Sequence, residues 1–255
     1  MPTSSASLRS DDLSIKFGGH IAVNQVSCAF QPGQLTAIVG PNGAGKTTYF
    51  NLLSGQLKPT SGRIYKADQE ITSWSPAKRA QQGIGRAFQL TNLFPRLSVL
   101  ENVRLAVQVK SGLGANFWSS VSSYNRLEEK AYTYLDTTHL TKVAKLPAAT
   151  LPHGDQRKLE VALMLAMEPD IFMFDEPTAG MSAEQAPSVL SLIAKIKENP
   201  KCTVLLVEHK LDVVRRLADR IIVLHNGSLI ADGKPEQVIN LDIVRKVYLG
   251  KRGTS

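Results

Sequence analysis

The residues Gly40-Pro41-Asn42-Gly43-Ala44-Gly45-Lys46-Thr47 fit the pattern G-x-x-x-x-G-K-[ST], and they fall where that pattern has structural meaning. Upstream, Leu35-Thr36-Ala37-Ile38-Val39 is short, apolar and β-branched, which predicts a buried strand. Downstream, Thr47 to Leu53 carries no breaker and predicts a helix. A strand running through a glycine-rich loop into a helix commits the chain to an α/β fold with a phosphate-binding loop. The glycines let backbone N–H groups curl around an anion, and the helix N-terminus adds a partial positive charge. Lys46 supplies a mobile charge for the outer phosphates. The Thr47 hydroxyl is placed to ligate Mg²⁺, and Thr48 lies in the same turn. The expected ligand is a nucleoside triphosphate contacted by Gly40, Pro41, Asn42, Gly43, Ala44, Gly45, Lys46, Thr47 and Thr48.

Such a loop needs a carboxylate for the metal and a group that activates water. Ile171-Phe172-Met173-Phe174-Asp175-Glu176 ends an apolar run with both. Asp175 is the candidate metal residue and Glu176 the candidate general base. An acidic pair after a strand can also be a solvated turn, but the phosphate loop upstream makes the chemical reading the better one.

With these motifs in order, the chain resembles the nucleotide-binding subunits of ATP-binding cassette (ABC) transporters over nearly its whole length. The resemblance implies the fold: a P-loop NTPase core of ABC type with an antiparallel β subdomain and a helical insert. It also implies three further roles. Gln89, in Arg86-Ala87-Phe88-Gln89, matches the glutamine that joins the metal site to the helical insert. His209, in Leu206-Val207-Glu208-His209, matches the switch histidine that meets the γ-phosphate, and Phe17 matches the aromatic that stacks on adenine. Within the family the likeness is to the ATPases of branched-chain amino acid importers. It is carried by Arg86 to Gln89 followed by Leu93-Phe94, by Asp175-Glu176-Pro177-Thr178-Ala179-Gly180-Met181, by the long stretch after Gln89, and by the ending Val247-Tyr248-Leu249-Gly250. Importers of urea or short amides share much of this pattern.

One segment departs from the family. Where Leu-Ser-Gly-Gly-Gln is usual, this chain has Leu151-Pro152-His153-Gly154-Asp155. In the family this signature closes over ATP held by the other subunit, with the serine hydroxyl and the following helix N-terminus donating to the γ-phosphate. Pro152 removes a hydroxyl and a backbone donor. Asp155 suits a helix cap but brings negative charge. Either the departure slows hydrolysis at the site it completes, or it is a tolerated variant.

The rest of the sequence fits one domain. The 255 residues suffice for a single core. Residues 1–10 read as a flexible polar tail rather than a signal peptide, 11–250 as the ATPase domain with its insert at roughly 90–168, and 251–255 as a second tail. Turns are expected at Pro32-Gly33 and Asn24-Gln25, and Ser98-Val99-Leu100-Glu101 reads as a capping box. Strands are expected at Val204 to Val207 and Ile221 to Leu224, with a helix from Lys210 to Ala218 between them. Cys28 and Cys202 lie beside apolar runs with no zinc or disulfide spacing, which favours a reducing compartment. No apolar run reaches the roughly 18 to 20 residues that cross a bilayer. The net charge of +8 comes from scattered basic residues, so no nucleic acid is expected as a partner. Leu113 to Ser120, with Phe117 and Trp118, reads either as a partner-facing patch or as part of the insert's own core.

The resemblance implies two subunits, identical or paralogous, that sandwich two ATP molecules with Mg²⁺ head to tail at the cytoplasmic face of the inner membrane. Hydrophobic permease subunits would form the channel, and a periplasmic solute-binding protein would deliver the solute. Leu93, Phe94 and Pro95 are candidates for touching the permease. Other readings are the ATPase of a lipopolysaccharide-type exporter and a soluble cassette that moves no solute.

Overall fold

The computed structural model describes residues 7–87, 93–112 and 121–249. In chain order the elements are β1 (Leu8–Phe17), β2 (His20–Phe30), β3 (Leu35–Val39), α1 (Lys46–Ser54), β4 (Ser61–Lys66), β5 (Gln69–Glu70), α2 (Pro76–Gln81) and β6 (Ile84–Ala87). Three helices follow: α3 (Val99–Lys110), α4 (Val121–Thr137) and α5 (His153–Ala166). The last part holds β7 (Ile171–Asp175), α6 (Ala186–Lys197), β8 (Thr203–Val207), α7 (Leu211–Leu217), β9 (Arg220–His225), β10 (Ser228–Gly233), α8 (Pro235–Val238) and α9 (Asp242–Leu249). They fall into two compact units. One takes the described residues up to Arg86, Asp170–Glu176 and those from Ala194 onward; the other takes those of Ala87–Pro169 and Pro177–Ile193.

Two sheets build the first unit. The larger has the order β10-β9-β3-β8-β7-β6, with β9, β3, β8 and β7 parallel. Every residue of β3, β7 and β8 is buried, which is why these strands read as unbroken apolar runs in the sequence. Along β3 and β9 the side chains alternate between two cores. Ile38, Met173, Leu205 and Leu224 point to the face that carries α1, while Ala37, Val39, Ile221 and Val223 pack with Val214, Val238 and Val244 of α7, α8 and α9. The smaller sheet, β2-β1-β4-β5, is antiparallel throughout. Its Leu8, Leu13, Val23 and Phe30 enter the same core as Tyr49, Phe50, Leu52 and Leu53 of α1. Each such large side chain contributes about 2 kcal/mol over its exposed state, so the helix behind the glycine loop is anchored along its length.

The second unit is helical. Val99, Val103 and Val107 of α3, Ala131 and Leu135 of α4, and Leu159, Ala162 and Ala166 of α5 form its core. Ser98 caps α3, its Oγ accepting the Glu101 N–H at 3.1 Å. The expected capping box is only half made, because the Glu101 carboxylate turns to Arg104 and Tyr124.

Two more expectations need correction. The segment expected as a tail already contains strand: Leu8 pairs with Phe30, and Leu8 and Ser10 are fully buried. The polar Ser10 is tolerated because its hydroxyl bonds Val26 O at 3.0 Å and meets Tyr49 Oη at 2.7 Å. Asn24-Gln25 is no turn; it lies inside β2, where Gln25 takes a φ of +50° and the β1 and β2 registers shift nearby. Leu113 to Ser120 lies outside the described residues. Both cysteines are free and buried, and burial pushes the Cys28 thiol up to about 11.

Candidate functional site

Residues 40–45 cross from β3 to α1 with no room for side chains at two points. A Cβ on Gly40 would stand 2.2 Å from Leu224 O, and one on Gly45 2.4 Å from Ala22 O. Both glycines also have positive φ, +152° and +95°. The loop is thereby wedged between β2 and β9, with Gly227 N–H donating to Ala44 O at 3.0 Å. Lys46 is buried, and its Nζ donates to Gly40 O at 2.8 Å and Pro41 O at 2.9 Å. The ammonium is held against the loop it serves. No acidic residue lies in the first turn of α1, which keeps the helix N-terminus positive.

Above the loop opens a cleft of about 510 Å³ lined by Phe17, His20, Ala22, Asn42 to Thr48, Glu176 and His209. That size suits a small ligand. Phe17 stands 49% exposed at the end of β1, paired across the hairpin with His20. The sequence reading missed His20 and Ala22, although the Gly18-Gly19 turn was a signal that places residue 20 opposite residue 17. Gly40 and Pro41 lie outside the lining and act through their carbonyls on Lys46.

The acidic pair ends β7. Asp175 pairs in parallel register with Val207 of β8, and Glu176 N–H donates to Val207 O at 2.9 Å. That register carries His209, two residues on, to the carboxylate, so that Nε2 lies 2.5 Å from Glu176 Oε1. Glu176 takes a φ of +51°, a left-handed conformation uncommon for a residue with a side chain. Glu208, buried, accepts the His209 N–H at 3.0 Å and steadies the histidine from behind. A basic carboxylate and an imidazole side by side can orient and deprotonate a water.

Asp175 does not line the cleft. Its Oδ2 is 2.7 Å from Arg86 Nη2, and both side chains are nearly buried. Burial pushes the Asp175 carboxyl above the usual carboxylate range against the opposing pull of Arg86. The same burial lowers the Arg86 guanidinium, so on both partners desolvation outweighs the pairing.

The model for the family "ABC transporter" matches residues 23–179. This chain belongs to the ABC transporter family. It is 38% identical over 245 residues to the high-affinity branched-chain amino acid transport ATP-binding protein LivG of Escherichia coli K12, covering 94% of this chain and 96% of that one. It is equally identical over 246 residues to BraF of Pseudomonas aeruginosa, a protein named for the same transport. Among solved structures, the ADP conformation of an ABC transporter's ATP-binding cassette matches with a TM-score of 0.82 and 28% identity, over 96% of this chain and 99% of that one. A dimeric cassette in a post-hydrolysis state with ADP and phosphate matches at 0.75, with 27% identity over 89% and 98%. The chain is an ATP-binding and ATP-hydrolysing cassette.

In the second unit of the cassette, Leu151 is buried and Pro152 is the N-cap of α5. Pro152 O accepts N–H bonds from Asp155 at 2.9 Å and Gln156 at 3.0 Å. Asp155 is therefore not the cap, as its side chain suggested; it sits in the first turn and pairs with Lys158 at 2.9 Å. His153 is exposed and Gly154 buried, where a Cβ would come within 3.4 Å of the Gln185 side chain. Gln89 lies outside the described residues.

The donor set suits a magnesium nucleotide. Among the described residues no group of three or more His, Cys, Asp or Glu can enclose a metal. One hydroxyl at Thr47 and one carboxylate at Asp175 would leave most of the coordination of a bound Mg²⁺ to phosphate and water, as that ion prefers. Also among the described residues, no helix is long and apolar enough to cross a membrane.

Proposed function

We propose that this cassette is the ATPase of an importer for branched-chain or other hydrophobic amino acids, docked on separate permease subunits at the cytoplasmic face of the inner membrane. The solute assignment rests on the names of the relatives, 38% identical over nearly full length. The chemical assignment rests on one observation: a single cleft is lined by the glycine loop, Lys46, Thr47 and the Glu176–His209 pair.

In this reading Phe17 stacks on adenine, residues 42–48 bind the phosphates through backbone N–H groups and Lys46, and Gly40 and Pro41 hold the Lys46 ammonium. Thr47, Asp175 and Gln89 would hold Mg²⁺, which neutralises phosphate charge when bound. Glu176 takes a proton from the attacking water, while His209 holds the carboxylate in place and donates toward the γ-phosphate. The signature, residues 151–155, serves nucleotide held by a second cassette, so the working unit is a head-to-tail pair. Pairing is supported by the dimeric solved relative. A solute-binding protein would act through the permeases alone.

The test is uptake of labelled leucine and of labelled urea in cells lacking the chain, complemented by the wild type or by Glu176→Gln. Leucine uptake lost and restored only by the wild type supports the proposal. Intact leucine uptake with lost urea uptake would move the cassette to an amide importer.

A further inference from the structure

One guanidinium joins the two parts of the chain that we assign to the metal. Arg86, in β6, donates through Nη1 to Asn51 Oδ1 and Ser54 Oγ, both at 2.7 Å, and through Nη2 to Asp175 Oδ2 at 2.7 Å. Its Cζ lies 5.1 Å from the centre of the Phe50 ring, so the fork is fixed in plane as well as at both ends. Asn51 and Ser54 stand four and seven residues after Thr47 on α1. At 3.6 residues per turn the three share one face of that helix. The guanidinium therefore runs from the face that begins at the Thr47 hydroxyl to the carboxylate at the end of β7. Flexible surface pairs do not look like this: the Arg86 and Asp175 side chains are 10% and 7% exposed.

We propose that Arg86 is a positioning residue for the metal, fixing the Asp175 carboxylate relative to Thr47 without touching nucleotide or ion itself. A buried carboxylate without this partner would swing away, and that change removes a metal ligand. The fork geometry explains why arginine stands here. Lysine has the charge but cannot span Asn51, Ser54 and Asp175 at once. The proposal rests on the reading of Thr47 and Asp175 as the metal's protein groups.

The experiment titrates Mg²⁺ into the full chain holding a fluorescent ATP analogue, and separately measures analogue affinity in excess EDTA. Arg86→Met is expected to raise the Mg²⁺ midpoint by about 10-fold or more, the range typical of residues that orient a metal ligand, with affinity in EDTA unchanged. Arg86→Lys should fall between it and the wild type. The Asn51→Ala/Ser54→Ala double variant leaves Asp175 and Arg86 in place and should raise the midpoint about 3-fold, carrying the test if Arg86→Met does not fold. Asp175→Asn is the reference. If it leaves the midpoint unchanged, the metal assignment fails. If it raises the midpoint while Arg86→Met and the double variant do not, Arg86 is structural and the inference is wrong. A lowered midpoint in Arg86→Met also overturns it, since it would mean that Arg86 merely competes with the ion.

Discussion

His209 Nε2 lies 2.5 Å from Glu176 Oε1 at the wall of the nucleotide cleft. Glu176 is held from two directions, by this side-chain contact and by its backbone N–H on Val207 O, in a backbone conformation that few residues with side chains adopt. Glu176→Gln keeps the shape and a hydrogen bond to His209 but has no basicity. Phosphate release at saturating ATP is expected to fall by about 10²- to 10⁴-fold, the usual worth of a positioned base. Binding of a fluorescent nucleotide should stay within a few-fold of wild type. Undiminished turnover in this variant would place the base elsewhere.

The parts legible in the sequence are those whose cause is local or strictly periodic. β3, β7 and β8 are buried on both faces, so their apolar runs announced them, and the glycine loop is a local backbone necessity. The illegible parts depend on distant partners. Ser10 is a core residue because Tyr49, 39 residues away, meets its hydroxyl. Arg86 reaches Asn51 across 35 residues and Asp175 across 89, and no spacing in the sequence encodes either contact. Asp155 has the chemistry of a cap but sits three residues past the one that caps, within reach of Lys158.

Arg79 makes a stability prediction of the same long-range kind. The residue is 1% exposed, and its Nη1 donates to Leu52 O and Leu53 O at 2.8 and 2.6 Å, in the last turn of α1. Nη2 donates to Ile71 O at 2.9 Å and Thr72 O at 3.1 Å. A cation at a helix C-terminus is favourable, and here it also donates to four carbonyls, although burial lowers its pKa to about 10. Arg79→Met fills similar volume but withdraws the donor from Leu53 O and Thr72 O, while Leu52 O and Ile71 O keep the N–H groups of Gly55 and Trp74. It is expected to cost about 3 kcal/mol of unfolding free energy by urea titration, and Arg79→Lys to recover only part of that.

Glu101 makes the helical unit sensitive to acid. Its carboxylate takes Arg104 Nη2 at 2.8 Å and Tyr124 Oη at 2.9 Å, and the hydrogen bond from Arg104 is the largest influence holding it below the usual carboxylate range. A carboxylate with a depressed folded pKa stabilises fully above its unfolded value, about 4.5, and loses that contribution as pH falls through the folded value. The difference in unfolding free energy between the wild type and Glu101→Gln should be about 1 kcal/mol at pH 7, begin to fall near pH 4.5 and disappear once the pH is below the depressed folded value. Denaturant titrations from pH 7 to 3 check this. A difference independent of pH would mean that Glu101 acts by packing alone.

Pro152 brings the signature to a decision. As N-cap of α5 it offers its carbonyl to Asp155 and Gln156 but has no side-chain acceptor for the N–H groups of the first turn. Pro152→Ser supplies that acceptor and should add about 1 kcal/mol to stability. If the helix N-terminus and the new hydroxyl also face nucleotide on a second cassette, steady-state phosphate release should rise along with stability. Asp155 already shares its charge with Lys158 at 2.9 Å, so Asp155→Gln should change turnover less than Pro152→Ser does. Raised stability with unchanged turnover would confine the effect of Pro152 to the helix cap and make the altered signature a tolerated variant.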